Sequence, residues 1–186
     1  ALVSNWGVPY ITADETAGAL VIVRNPLDVV ISLAHHFGFS IDESIDFMAN
    51  PGAETLEDEQ RLPQFYGTWS SHVKSWEKFN PVYQHRVRYE DMLHKPHKAF
   101  GGVIKFLGMQ VTRNQLNTAI KRSSFKELKK QEDRDGFDEG SYKAEAFFRS
   151  GKSGQWKTVL SKDQVDRVCK NHREVMEELG YLKRRD

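Results

Sequence analysis

One cysteine, Cys169, stands in the 186 residues of this chain, so no internal disulfide can form and a reducing compartment is expected. Cys169 falls in a helical apolar stripe and reads as a core filler ahead of a nucleophile. An excess of charge of one sign is also missing. Twenty-seven basic residues face 26 acidic ones, for a formal net charge of +1. That balance argues against a general nucleic-acid or membrane-surface binder, and any anion site has to be built locally. No apolar run reaches membrane-spanning length, and no internal repeat is present. Histidine, cysteine and acidic side chains do not recur at metal-ligand spacing, so no metal is expected.

What is present suits one globular domain: 39% hydrophobic residues and 28% charged ones. The stretch ALVIVRNPLDVVISLAHHFG, residues 19–38, is the most informative. Residues 19–23 suit a strand buried on both faces, as in a parallel sheet. Asn25 then fits a helix N-cap, Pro26 the first helical position, and Asp28 a capping acid. Val30, Leu33 and Phe37 repeat at helical spacing, and Gly38 ends the helix.

Residues 39–64 read as loop and short helix. FYGTWSSHVKSWEKF carries an aromatic helical face of Trp69, Val73 and Trp76, with His72 at its surface. Residues 82–89 read as a second strand. Pro96 opens a helix with Phe100, Val103, Ile104 and Leu107 inward. Thr112 with Gln115, Ser124 with Glu127, and Ser161 with Gln164 each have capping-box spacing. QEDRDGFDEGSYK, residues 131–143, reads as polar and mobile. In the last helix His172 shares a stripe with Val165, Val168, Met176 and Leu179, which suits a hydrogen-bonded core histidine. Strand, helix, strand and helices in this order predict an α/β layer fold with a parallel sheet.

Ligands of such sheets gather at the carboxyl ends of the strands. Arg24 stands at one, where the helix starting at Pro26 aims its amides. Ser32 shares that helix side and offers a hydroxyl. These groups suit a phosphate, although Arg24 could instead pair with a distant carboxylate. A second motif, FFRSGKSGQW at residues 147–156, makes a basic turn of Arg149, Ser150 and Gly151 whose glycines let backbone amides approach an anion. It is not a Walker A loop.

Taken in order, VIVRNPLDVVISLAHHF, YGTWSSHVKSW, RYEDM, FLG, SSFKELKK and FFRSGKSGQWK resemble the soluble sulfotransferases that use 3'-phosphoadenosine 5'-phosphosulfate (PAPS). The resemblance covers nearly all of residues 19–182. It implies a P-loop-like three-layer fold, α/β, with a central parallel sheet flanked by helices. It implies that Arg24 and Ser32 grip the donor's 3'-phosphate, with Arg149, Ser150, Gly151 and Phe147 in the loop closing on it. Ser150 stands where the family often has lysine, which Lys152 would have to replace. Tyr89, Ser123, Phe125 and Leu128 match adenosine-side contacts, with Phe125 against the base. Apart from the resemblance, Tyr89 and Phe125 read as core packing.

The implied reaction moves a sulfuryl group from PAPS to a small-molecule acceptor, an alcohol, phenol or amine, leaving adenosine 3',5'-bisphosphate (PAP), in the cytoplasm. None of the seven histidines precedes Arg24. The family's histidine base and the lysine loop for the 5'-phosphosulfate are therefore expected upstream of Ala1, and residues 1–186 read as a single domain lacking its amino-terminal part. WKTVLSKDQ does not match the family's dimer motif, which leaves the oligomeric state open. Two other readings are a non-catalytic PAP- or PAPS-binding relative and a nucleotide-kinase-like phosphotransferase.

Overall fold

The computed structural model describes residues 16–55, 63–77, 83–137 and 146–184. Strand β1 (Ala19–Val23) pairs in parallel with β4 (Gln84–Arg88), Val21 opposite Arg86 and Val23 opposite Arg88. Both strands end at the same edge, so the residues that follow them, Arg24 and Tyr89, emerge side by side. Two-residue strands β2 (Glu54–Thr55) and β3 (Gln64–Phe65) form a separate antiparallel pair.

The helices follow from local signals. In α1 (Pro26–Phe37) the Asn25 side chain accepts from Leu27 N at 3.0 Å, and Gly38 closes the helix at φ 68°. Capping boxes start α6 (Arg113–Arg122) at Thr112 and α9 (Lys162–Glu178) at Ser161. Between these lie α2 (Ile41–Ala49), α3 (Trp69–Glu77), α4 (Tyr89–His94), α5 (Pro96–Phe106), α7 (Phe125–Asp135) and α8 (Trp156–Val159). No helix among the described residues is long and apolar enough to cross a membrane.

Two apolar clusters hold these elements together. Leu27 and Val30 of α1 meet Ile45 and Met48 of α2 and Val168, Cys169 and Met176 of α9. On one sheet face, Ala19, Val21 and Val23 pack against Val73 of α3 and Val175 of α9. Cys169 is a core residue, and burial pushes its thiol up in pKa. His172 is 2% exposed, with Nδ1 2.9 Å from Ser70 Oγ and its ring edge-on to Trp69.

Several expectations need correction. Leu20 and Ile22 are 42% and 60% exposed, so β1 alternates instead of being buried on both faces. Its odd residues meet α3 and α9, while its even residues point to the other face of the sheet. The short helix expected within residues 39–64 is α2, which needs no correction and is started by a capping box of Ser40 with Glu43. The stretch 131–143 is helical through Asp135, where Lys129 pairs with Glu132 and Asp133 along α7; residues 138–143 lie outside the described residues. Ser124 makes no side-chain cap, and Leu107 is 51% exposed after the end of α5. The second strand stops at Arg88, because Tyr89 already begins α4; its expected start at residue 82 lies outside the described residues.

Candidate functional site

The site begins where β1 stops. Arg24 leaves the strand end half-buried, and its Nη1 donates to Ser32 Oγ at 2.8 Å. Its Nη2 donates to the Lys152 carbonyl at 3.2 Å, which ties the strand end to the basic loop 128 residues later. The guanidinium also lies over the Tyr89 ring, 4.5 Å from the centroid, a favourable contact of cation and π face. Among the described residues Arg24 forms no salt bridge, and its buried Nε has no hydrogen-bond partner. A guanidinium carries five N–H donors, and these contacts use two of them. The distant-carboxylate alternative therefore has no acid here to supply it.

Asp28 plays a different part from the capping acid expected. The amide of Asn25 donates not to Asp28 but to Glu90 Oε1 at 2.9 Å. Asp28 is 1% exposed and turns instead to the basic loop, accepting from Gly154 N at 2.6 Å and Trp156 N at 3.1 Å. Glu90 itself bridges: its Oε2 accepts from Tyr181 Oη at 3.0 Å, while Arg88 lies over the Tyr181 ring and donates to the Leu179 carbonyl. Burial and then the Glu90 charge push the Tyr181 phenol up in pKa.

The loop after residue 146 closes the opposite wall. Glu132 of α7 accepts from Phe147 N at 2.5 Å and Phe148 N at 3.1 Å. Desolvation would raise this carboxyl, but these amides and Lys129 outweigh it and hold it below the usual range. Phe147, Phe148 and Phe137 form an aromatic cluster, with Phe148 edge-on to Phe125. Arg149 donates to Gln155 Oε1 at 3.1 Å. Gly151, at φ 59°, lies flat against the Phe125 ring, and a β-carbon there would stand 2.2 Å from Phe125 Cδ2.

These elements enclose a cavity of about 660 Å³. Arg24, Ser32 and Tyr89 line one side, Phe147, Arg149, Ser150 and Gly151 another, and Ser123, Phe125 and Leu128 a third. The structure thus brings every site residue read from the sequence to one cavity. Ser123 Oγ already donates to the Ala119 carbonyl at 2.9 Å. Lys152 contributes its carbonyl, to Arg24, and is not among the lining residues.

The lining also holds residues to which sequence reasoning gave no part in the site: Met92, Leu93, Pro96, Phe100 and Ile120 make an apolar end. His35 and His36 lie on the α1 wall. Partial desolvation, and then the Arg149 charge, hold His35 below the ordinary histidine pKa. Asp28 and Glu132 were legible only as a helix-start acid and as one acid in a polar run, because their partners are loop amides far along the chain or outside any regular element.

The chain matches the family model described as "Sulfotransferase domain" over residues 6–180. It belongs to the sulfotransferase family. It is 26% identical over 184 residues to Sulfotransferase 1A1 of Canis lupus familiaris, covering 93% of this chain and 59% of that protein. It is 27% identical over 173 residues to Sulfotransferase 2A1 of Macaca fascicularis, covering 88% of this chain and 58% of that protein. The chain thus spans about three fifths of the length of these curated relatives.

Its fold is that of solved sulfotransferase-like structures. Mouse sulfotransferase SULT7A1 complexed with PAP superposes with a TM-score of 0.73 at 21% identity, over 97% of this chain and 66% of that one. Retinol dehydratase in complex with androsterone and PAP gives 0.69 at 19% identity, over 99% and 53%. The P-loop-like α/β architecture expected from the sequence is the one found.

Proposed function

We propose that this sulfotransferase-family chain binds the 3'-phosphoadenosine part of PAPS in the cavity between β1, α7 and the 147–156 loop. The observation that carries the reading is the convergence of Arg24, Ser32 and the Arg149–Gly151 turn on one cavity whose third wall is Phe125. The residues fit the group. Arg24 keeps spare N–H donors, Gly151 lets the loop backbone close against Phe125, and an aromatic platform suits a purine.

In this reading Arg24 and Arg149 fork onto the 3'-phosphate oxygens, with Ser32 held ready by Arg24. Phe125 carries the base, and Tyr89 keeps the Arg24 guanidinium aimed. Bound PAPS supplies the sulfuryl group for an alcohol, phenol or amine acceptor. These residues bind and orient the nucleotide, and the family's histidine base and lysine loop have no counterpart before Arg24 in this sequence. The neighbours crystallised with PAP, one of them with androsterone, support this choice of nucleotide and of a small-molecule acceptor. A cytoplasmic setting belongs to the same proposal and rests on the free, buried thiol of Cys169.

Calorimetry with adenosine 3',5'-bisphosphate and adenosine 5'-phosphate tests the reading. The bisphosphate is expected to bind tighter, and Arg24→Ala to weaken it by about tenfold or more, the loss of a charge-assisted hydrogen bond. Arg24→Lys should rescue only part, because a point charge cannot reproduce the fork. Equal loss for both nucleotides rejects the assignment, and a preference for nucleotides without the 3'-phosphate favours a kinase-like phosphotransferase.

A further inference from the structure

Two carboxylates flank the basic loop, beside a cavity that the functional reading fills with an anion. Asp28 holds its far end through Gly154 N and Trp156 N, and Glu132 holds its near end through Phe147 N and Phe148 N. An acid beside an anion site opposes binding by simple charge repulsion, so these two need another reason to be there. Neither carboxylate lines the cavity. Each accepts two backbone amides, and between the anchored ends lie Arg149, Ser150, Gly151, Lys152 and Ser153. The Lys152 carbonyl in turn receives Arg24.

We infer that Asp28 and Glu132 are positioning residues that suspend the 149–153 segment between two fixed ends, so that Arg149 and Gly151 face the same point as Arg24. The inference rests, for the identity of the anion, on the nucleotide reading above. The two acids act through backbone geometry and touch no ligand. Three links then join elements distant in sequence: α1 to the far end of the loop, β1 to its middle, and α7 to its near end. Because α7 also begins with Phe125, the wall proposed for the base and the loop proposed for the phosphate are set by one helix.

Charge and geometry give opposite signs for neutral isosteres. Asp28→Asn and Glu132→Gln each remove a negative charge, and each leaves an amide NH₂ facing one backbone N–H. If the carboxylates merely add field, both variants bind adenosine 3',5'-bisphosphate more tightly. Positioning requires weaker binding, with the ratio of bisphosphate to adenosine 5'-phosphate affinity falling by about tenfold, as for a lost charged hydrogen bond. Lys129→Met is the control: it removes the ion pair to Glu132 Oε2 while sparing the carboxylate, and should leave the ratio unchanged.

A second readout needs no nucleotide. Trypsin cleaves after Arg149 and Lys152, and a segment released at one end is cut faster, by about tenfold if one anchoring interaction is lost. Should Asp28→Asn fail to fold, Glu132→Gln at the more exposed anchor carries both measurements. Unchanged cleavage together with an unchanged or increased bisphosphate preference overturns the inference. Wild-type protein that binds the two nucleotides equally rejects the functional reading instead, and the trypsin rates still decide whether the carboxylates hold the loop.

Discussion

Gly151 packs its backbone on the face of Phe125, so closely that a β-carbon would come within 2.2 Å of the ring. Its φ of 59° is also one that side-chain-bearing residues rarely adopt. Gly151→Ala therefore has to move either the ring or the loop. Both carry proposed nucleotide contacts, so the bisphosphate should bind at least about tenfold more weakly, the scale of one charged hydrogen bond. The melting temperature should change little, because Gly151 and Phe125 lie outside both core clusters. Calorimetry on the folded variant checks this, and unimpaired binding would show that the loop can shift without cost to the site.

Phe125→Ala separates platform from core. The ring is only partly buried, edge-on to Phe148 and against Gly151. Base stacking is worth about 1–3 kcal/mol, whereas deleting a core phenylalanine costs about 3–5 kcal/mol of stability. Weaker binding of both adenosine nucleotides, with most of the stability retained, is the expected result. A large loss of stability with unaltered affinity for the folded fraction would make Phe125 a packing residue.

The two motifs proposed to face the phosphate were legible because their signals are local. An apolar run that breaks at Arg24 and enters Asn-Pro announces a strand end and a helix start within seven residues. What holds the motifs together was not legible. Asp28 sits where a capping acid belongs, and its partners lie 126 and 128 residues away. No periodicity encodes that distance. The short helix α2 was expected but not placed, because its Ser40–Glu43 box lies among acids and a Pro-Gly turn that look like loop. The alternation in β1 was hidden because Leu20 and Ile22 are apolar although exposed. The chemistry of each wall could thus be read from short stretches, while the joints between walls depend on the folded chain.

His172 sets a pH limit on stability. Burial pushes its imidazole from the ordinary 6.5 down to about 4. The folded state therefore keeps a neutral ring where the unfolded chain takes up a proton. The contribution is fully present above pH 6.5 and is lost as pH falls from there towards 4, a change of about 3 kcal/mol across the window. Urea denaturation at several pH values between 4 and 7 should show this slope. His172→Asn retains a polar partner for Ser70 Oγ and should flatten it, at some cost in stability at neutral pH. An identical slope in the variant would assign the acid sensitivity to other groups.

His35 reports the charge of the cavity without taking part in the fold's core. It is exposed on the α1 wall, and its pKa is lowered first by partial desolvation and then by the Arg149 guanidinium. Removing that cation favours the imidazolium, so Arg149→Ala should raise the His35 pKa. A bound phosphate acts in the same direction, because it offsets Arg149 and adds attraction of its own. Nuclear magnetic resonance titration of the ring protons, assigned by comparison with His35→Gln, measures both effects. In the free protein His35 should titrate below 6.5. Saturation with adenosine 3',5'-bisphosphate should move it up, and adenosine 5'-phosphate should move it less, because in the proposed mode only the bisphosphate places an anion at Arg149. The Arg149→Ala variant should show a smaller ligand-induced rise than wild type, since one of the two contributions is already gone. An equal rise with both nucleotides would place the 3'-phosphate away from Arg149 and would leave Arg24 and Ser32 as its remaining grip.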